Sequence, residues 1–153
     1  MADPSLFPMR QGLFHVAPPC VRPGEVFIIT SCTLPRGINQ LARLQTIGVM
    51  TTAWEHYVRS KRLWVSLFLA MPDHIHGLFS FPAGERTEKI MRDWKRFIAK
   101  QTDVTWQHGF FDHRLRNDES YGHKAEYIRQ NPVRAGLVKA AGDWPYCWKP
   151  RDQ

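Results

Sequence analysis

Four stretches of the chain have the composition of β-strands. Residues 25–33 and 63–71 are nearly continuous runs of apolar and β-branched residues, typical of buried strands. Residues 74–81 follow the second run after a Met-Pro-Asp turn, which predicts an antiparallel pair, and residues 109–115 predict a fourth, short strand.

Three other stretches repeat their apolar residues with the period of a helix. Residues 38–60 and 87–101 place apolar side chains at steps of three, four and seven, as in a helix packed on one face. A third helix is predicted for residues 119–131, with Asp118 as its N-cap. Pro132 disfavours helical geometry at Asn131, so this helix should end or kink there.

The order of elements, strand, helix, strand, strand, helix, strand, helix, predicts an α+β domain. An antiparallel sheet with helices packed on one face satisfies this order and would be ferredoxin-like or RRM-like. We assign this domain to residues 25–141. The proline-rich residues 1–24 are interpreted as an extended arm, and residues 142–153 as an irregular tail.

Composition narrows the class of partner. The chain has 153 residues, enough for one domain, and a net charge of +7 with a pI near 9.7, which favours a polyanion such as nucleic acid. Its three cysteines are widely spaced, which argues against a disulfide scaffold. No apolar run approaches the roughly 18 residues of a membrane span, so we expect a cytoplasmic protein with no membrane contact.

The third strand carries a candidate metal site. His74 and His76 are two residues apart, so on a strand their side chains point to the same face while Ile75 points to the other. Two imidazoles on a rigid strand can bind one metal ion. The motif is short, however, and two strand histidines without any ligand would give the same pattern.

The third helix carries a polar stripe. His123, Tyr127 and Asn131 follow one another at steps of four and should lie on one side of the helix. Each residue also has a purely structural explanation. Tyr127 could be a tyrosine at the rim of the core, and Asn131 could be the residue that ends a helix before a proline. Together with the histidine pair, a positioned tyrosine suggests phosphodiester chemistry. His123, one turn before Tyr127, is a candidate for a third metal ligand, and Gln130 is a weaker one.

Four segments resemble one protein family. They are MPDHIH at 71–76, FFDHRLR at 110–116, EYIRQNPVRAGLV at 126–138 and DWPY at 143–146. They are similar to motifs of the REP-associated tyrosine transposases, relatives of the single-tyrosine HUH insertion-sequence transposases. The resemblance implies an HUH endonuclease core with Tyr127 as the nucleophile, His74 and His76 as metal ligands, and Asn131 completing the metal site.

The same resemblance implies a reaction. It would be metal-dependent cleavage and strand transfer of single-stranded DNA at repeat hairpins, through a 5′-phosphotyrosine intermediate. Two imidazoles and an amide oxygen suit Mg²⁺ or Mn²⁺. The relatives act as monomers or as homodimers, and the sequence leaves that choice open.

Basic residues are the expected DNA contacts. Three candidates are on the second helix, two follow the fourth strand, and two bracket Asn131: Arg92, Lys95 and Arg96; Arg114 and Arg116; Arg129 and Arg134. Two other functions fit the same sequence. One is a catalytically silent DNA-hairpin binding protein, and the other is an RNA-binding RRM-like module that would expose Phe79 and Phe81 on its sheet.

Overall fold

A computed structural model describes residues 25–116 and 121–149, and the predicted arm and the Asp118 cap lie outside these ranges. The elements follow the predicted order. They are β1 (Phe27–Cys32), α1 (Leu44–Arg59), β2 (Trp64–Ala70), β3 (His74–Ser80), α2 (Thr87–Gln101), β4 (Phe111–Arg114), α3 (Tyr121–Arg129), α4 (Asn131–Arg134) and β5 (Cys147–Trp148).

The sheet has five strands in the order β4-β1-β3-β2-β5, and every neighbouring pair is antiparallel. Its first six elements form β-α-β-β-α-β with strands ordered 4-1-3-2, which is the ferredoxin-like arrangement. The predicted α+β class and topology are therefore confirmed, and β3, the strand with the histidines, lies at the centre of the sheet.

Helices cover both faces of the sheet. On one face α1 and α2 enclose a core in which the Trp54 and Trp94 rings stack with centroids 4.3 Å apart. On the other face Ala125 and Ile128 of α3 pack against a smaller cluster that includes Leu78 of β3. The expectation that all helices share one face holds for α1 and α2 but is wrong for α3, because Ala125 and Ile128 give α3 an apolar side of its own.

Strand β2 is apolar on both faces because both faces are covered. The pairing of β2 with β3 shifts register between Val65 and Leu67. As a result Val65 and Phe68 both belong to the core beneath α1 and α2, whereas Leu67 joins the cluster beneath α3. A bulge of this kind interrupts the strict alternation of a strand.

Some element boundaries differ from the predicted ones. Helix α1 begins at Leu44 rather than residue 38, because the backbone N–H groups of Gln40 and Leu41 donate to the Pro72 carbonyl instead of starting a helix. The prediction of an irregular tail is wrong at β5, where Cys147 pairs with Leu69 of β2. Within the described ranges, no helix combines the length and apolar character needed to span a membrane.

Gly77 is a packing requirement of β3. An added Cβ at Gly77 would meet the Phe79 ring at 2.1 Å, within the core, whereas one at Gly48 in α1 would meet nothing within 4 Å. We predict that Gly77→Ala lowers the free energy of unfolding by about 1–3 kcal/mol through overpacking. Gly48→Ala, the control, should raise it by up to about 1 kcal/mol through helix propensity. Urea denaturation of both variants checks this, and a neutral Gly77→Ala would contradict the packing.

Candidate active site

The two histidines lie together on the sheet face that α3 covers. Their side chains share a face with Leu78, which packs against α3, and each residue is at most 6% exposed. The two imidazole centroids are 4.8 Å apart and the rings are nearly perpendicular. The predicted pairing of His74 and His76 on one face is therefore present.

His74 is held by the turn that precedes it. Its Nδ1 donates to Asp73 Oδ1 at 2.7 Å, while Asp73 Oδ2 accepts from Arg36 Nε at 2.9 Å and from the backbone N–H of Gly37 at 2.8 Å. The hydrogen bond from His74 is the largest of the causes that hold the pKa of Asp73 well below its usual range. Asp73 therefore stays a carboxylate and fixes the His74 ring.

His76 is held from the neighbouring strand. A hydrogen bond of 2.8 Å joins Thr30 Oγ1 of β1 to His76 Nδ1, and the two residues face each other in the strand register. Burial, followed by the positive charges of His74, Arg134 and Arg36, lowers the pKa of His76 well below its ordinary value. His76 is therefore a neutral imidazole, the form that binds metals.

This donor set fits a divalent metal. In both rings Nδ1 is engaged by an oxygen of another residue, and metal-binding histidines typically have one ring nitrogen held in this way by an oxygen of the protein. Across residues 25–116 and 121–149, no three His, Cys, Asp or Glu side chains are grouped to hold one ion. Within these ranges, a third protein ligand would therefore be of another residue type, such as an amide.

Asn131 is the best-placed amide. It is 7% exposed and begins α4, where the chain breaks away from α3 at the predicted Asn-Pro position. Its Nδ2 donates to the Ile128 carbonyl at 3.1 Å, so Oδ1 is the atom left for a cation. Of the alternative ligands, Gln130 donates its amide to Glu126 at 2.7 Å, and His123 is exposed.

Tyr127 sits at the accessible edge of the same layer. Its side chain is 41% exposed, and the guanidinium carbon of Arg134 lies 4.1 Å from the centre of its ring. Arg134 Nη2 also donates to the Tyr127 carbonyl at 2.8 Å. The charge of Arg134 is also one of the smaller causes of the lowered pKa of His76.

The basic residues divide between the two layers. Arg92 and Arg96 are exposed on α2, which packs on the sheet face away from the histidines. On β4, Arg114 is exposed within 3.5 Å of Glu25, and Arg116 is exposed just beyond the strand. Arg129 forms an ion pair of 3.7 Å with Glu126 on α3.

Lys95, unlike the arginines on the same helix, is buried. It is 8% exposed, and its ammonium donates to the carbonyls of Gln107 and Gly109, both at 2.6 Å. Burial lowers its pKa to about 8. The structure therefore corrects the expectation of a DNA contact at Lys95: this side chain holds the segment that leads into β4.

Sequence reasoning missed Asp73, Thr30 and the contact of Arg134 with Tyr127. Asp73 is next to His74, so an acidic residue beside a candidate ligand was an available clue. Thr30 lies 46 positions from its partner, and nothing in a single sequence marks such a pair.

No family model matches the chain, but individual proteins do. It is 29% identical over 99 residues to a REP-associated tyrosine transposase of Escherichia coli (strain K12), covering 61% of this chain and 59% of that protein. It is 28% identical over 99 residues to a putative REP-associated tyrosine transposase of Haemophilus influenzae, covering 54% of this chain and 56% of that protein. The chain thus spans less than two thirds of the length of either relative.

A solved structure agrees with these matches. It is a REP-associated tyrosine transposase bound to a REP hairpin, with a TM-score of 0.70 and 26% sequence identity, covering 81% of this chain and 76% of that one. The family resemblance inferred from the four sequence motifs is therefore confirmed: in sequence and in fold, this chain is similar to the REP-associated tyrosine transposases.

Proposed function

We propose that the protein is a metal-dependent single-strand DNA endonuclease and strand transferase that acts on repeat hairpins through a 5′-phosphotyrosine at Tyr127. One observation carries the proposal: α3, which contains Tyr127 and leads directly to Asn131, packs on the sheet face on which His74 and His76 lie. The named relatives and the hairpin complex of the solved neighbour support the same reaction class and partner.

In this proposal His74, His76 and Asn131 hold Mg²⁺ or Mn²⁺. The mixed imidazole and amide donors favour Mn²⁺, and both ions accept oxygen ligands from a phosphate. When bound, the ion would supply Lewis-acid polarisation of the scissile phosphate. Asp73 and Thr30 would keep the imidazoles in the orientation that coordination requires.

Tyr127 would carry the covalent step. Its Oη loses its proton to solvent and forms a bond to phosphorus while the bond from phosphorus to the 3′ oxygen breaks. The departing oxygen takes a proton from solvent to become a 3′-hydroxyl. A 3′-hydroxyl from a second strand can reverse the step, so the phosphodiester energy is conserved in the tyrosine ester. The exposed position of Tyr127 gives a DNA strand access to its hydroxyl.

The DNA contacts would come from basic residues on or just after β4 and on α3, α4 and α2. We propose Arg114, Arg116, Arg129 and Arg134 for the strand that is cut. Arg92 and Arg96, on the other side of the sheet, would contact phosphates of a more distant part of the hairpin.

The RNA-binding alternative requires exposed aromatic residues on the sheet. It lacks that surface here, because Phe79 and Phe81 are buried in the core.

The proposal is tested by covalent capture. Labelled single-stranded hairpins that carry flanking sequence are incubated with the protein and Mg²⁺ or Mn²⁺, and denaturing gels detect protein bound to DNA. We expect an adduct that a chelator prevents. Hairpin binding without any adduct over a broad panel of hairpins would instead favour the catalytically silent binding protein.

The residues that form hydrogen bonds with the two histidines give a second prediction. Asp73→Asn and Thr30→Val should each weaken Mn²⁺ binding by about 10–100-fold. The first change removes the carboxylate charge that holds the His74 ring, and the second removes the hydroxyl that bonds to His76. Calorimetric titration with Mn²⁺ measures the affinity. Thr51→Val is the matched control, since the Thr51 hydroxyl bonds to the Ile47 carbonyl within α1. Equal affinity in all four proteins would contradict a metal site at this pair.

A further inference from the structure

Arg134 makes two contacts with Tyr127, one to the ring and one to the backbone. The guanidinium carbon is 4.1 Å from the ring centroid, close enough for a cation–π interaction. Nη2 donates to the Tyr127 carbonyl at 2.8 Å, near the end of α3, and the same carbonyl accepts a longer hydrogen bond of 3.4 Å from Asn131 Nδ2. A single side chain thus binds both ends of the same residue.

These contacts differ from those of an arginine that serves only as a phosphate ligand. Such an arginine extends into solvent in the absence of DNA. In the free protein, by contrast, Arg134 already contacts the ring and the backbone carbonyl of Tyr127. Arg129, nearby on α3, pairs instead with the Glu126 carboxylate at 3.7 Å. The arrangement at Arg134 is therefore not a general property of the basic residues in this part of the chain.

Arg134 is carried by the same short helix as the candidate metal ligand Asn131. The two residues begin and end α4, so the buried amide and the guanidinium lie on one turn. Helix α3, which contains Tyr127, packs on the sheet face of the two histidines. The cation stacked on the Tyr127 ring restrains that ring. A positive charge beside the tyrosine would also stabilise the negative charge that develops as its oxygen attacks a phosphate.

We propose that Arg134 is a positioning residue that clamps Tyr127 in the orientation for attack, in addition to any contact with DNA. The catalytic consequence rests on the proposed function, whereas the clamp itself is a property of the free protein. A lysine at this position keeps the charge but loses the planar stack and the fork of donors, so it separates the clamp from simple charge attraction.

The kinetic test compares Arg134→Lys with Arg62→Lys, a control at an arginine that lies over the Tyr57 ring and has no proposed role in the site. We expect Arg134→Lys to reduce the single-turnover rate of adduct formation by roughly 10–100-fold, because small misplacements of a nucleophile have large effects. Its Kd for the hairpin should remain within about threefold of wild type, since a lysine still contacts phosphate. Added guanidinium should partly restore the rate of Arg134→Ala. A weaker Kd with an unchanged rate would overturn the proposal in favour of a phosphate contact.

The second test needs neither DNA nor activity. The ring resonances of Tyr127 are identified in ¹³C-tyrosine-labelled protein by their loss in Tyr127→Phe. In Arg134→Lys they should move toward the values of an unrestrained tyrosine, and in Arg129→Lys they should not. Unchanged resonances in Arg134→Lys would overturn the clamp. If the wild-type protein forms no adduct, the proposed function fails, and this comparison alone decides the clamp.

Discussion

Replacing Tyr127 by phenylalanine should abolish the covalent DNA adduct while leaving hairpin binding unchanged. The substitution removes one hydroxyl from a side chain that is 41% exposed, so packing should be little affected. Loss of the nucleophile should reduce strand cleavage by at least about 10⁴-fold, as for nucleophiles of other covalent enzymes. Denaturing gels measure the adduct, and mobility shifts in the absence of metal measure binding.

Tyr121 provides the matched control. It lies on the same helix and is 43% exposed, so Tyr121→Phe is an equivalent change at the other end of α3. We expect this variant to form the adduct at the wild-type rate. If Tyr127→Phe retains the adduct, or if Tyr121→Phe loses it, Tyr127 is not the nucleophile.

Loss of either histidine should have the second-largest effect. His74→Ala and His76→Ala each remove one of the two imidazoles, and we expect cleavage with Mg²⁺ or Mn²⁺ to fall by at least about 100-fold. Hairpin binding without metal should persist, because the basic residues that would contact phosphate are unchanged. The assay measures the rate of cleavage as a function of the metal concentration.

Two comparisons make this result specific. His56→Ala removes an exposed histidine at the far end of α1 and should leave cleavage unchanged. Circular dichroism and the Tm establish that the two buried-site variants are folded. Full activity of folded His74→Ala and His76→Ala would show that these side chains do not hold a catalytic metal.

Local periodicity was enough to predict most of the fold. The boundaries of α2 match the predicted residues 87–101, and the break between α3 and α4 falls at Gln130, one residue before the predicted Asn131, because both depend on residues close in sequence. The start of α1 was missed because the Pro72 carbonyl, more than thirty residues away, takes the N–H groups of Gln40 and Leu41. The position of α3 was missed because an element order does not specify which sheet face a last helix covers.

The candidate site shows the same contrast between features that the sequence predicts and contacts that depend on the fold. A strand alternation placed His74 and His76 together, and the family resemblance pointed to Tyr127 and Asn131. The partners that orient them could not be read from the sequence, because Thr30 reaches His76 only through strand pairing and Arg134 reaches Tyr127 only after the chain turns into α4. In the sequence, Lys95 looks like the exposed basic residues around it. Only in the folded chain do its hydrogen bonds to two carbonyl groups distinguish it from them.

Peptide mapping of the captured adduct tests the central claim most directly. The protein is allowed to react with a hairpin substrate and Mn²⁺, digested with a protease and a nuclease, and analysed by tandem mass spectrometry. The account predicts a nucleotide joined through its 5′-phosphate to the peptide that contains Tyr127, with the bond on the Tyr127 oxygen. A nucleotide on any other residue, or a linkage through a 3′-phosphate, would contradict it.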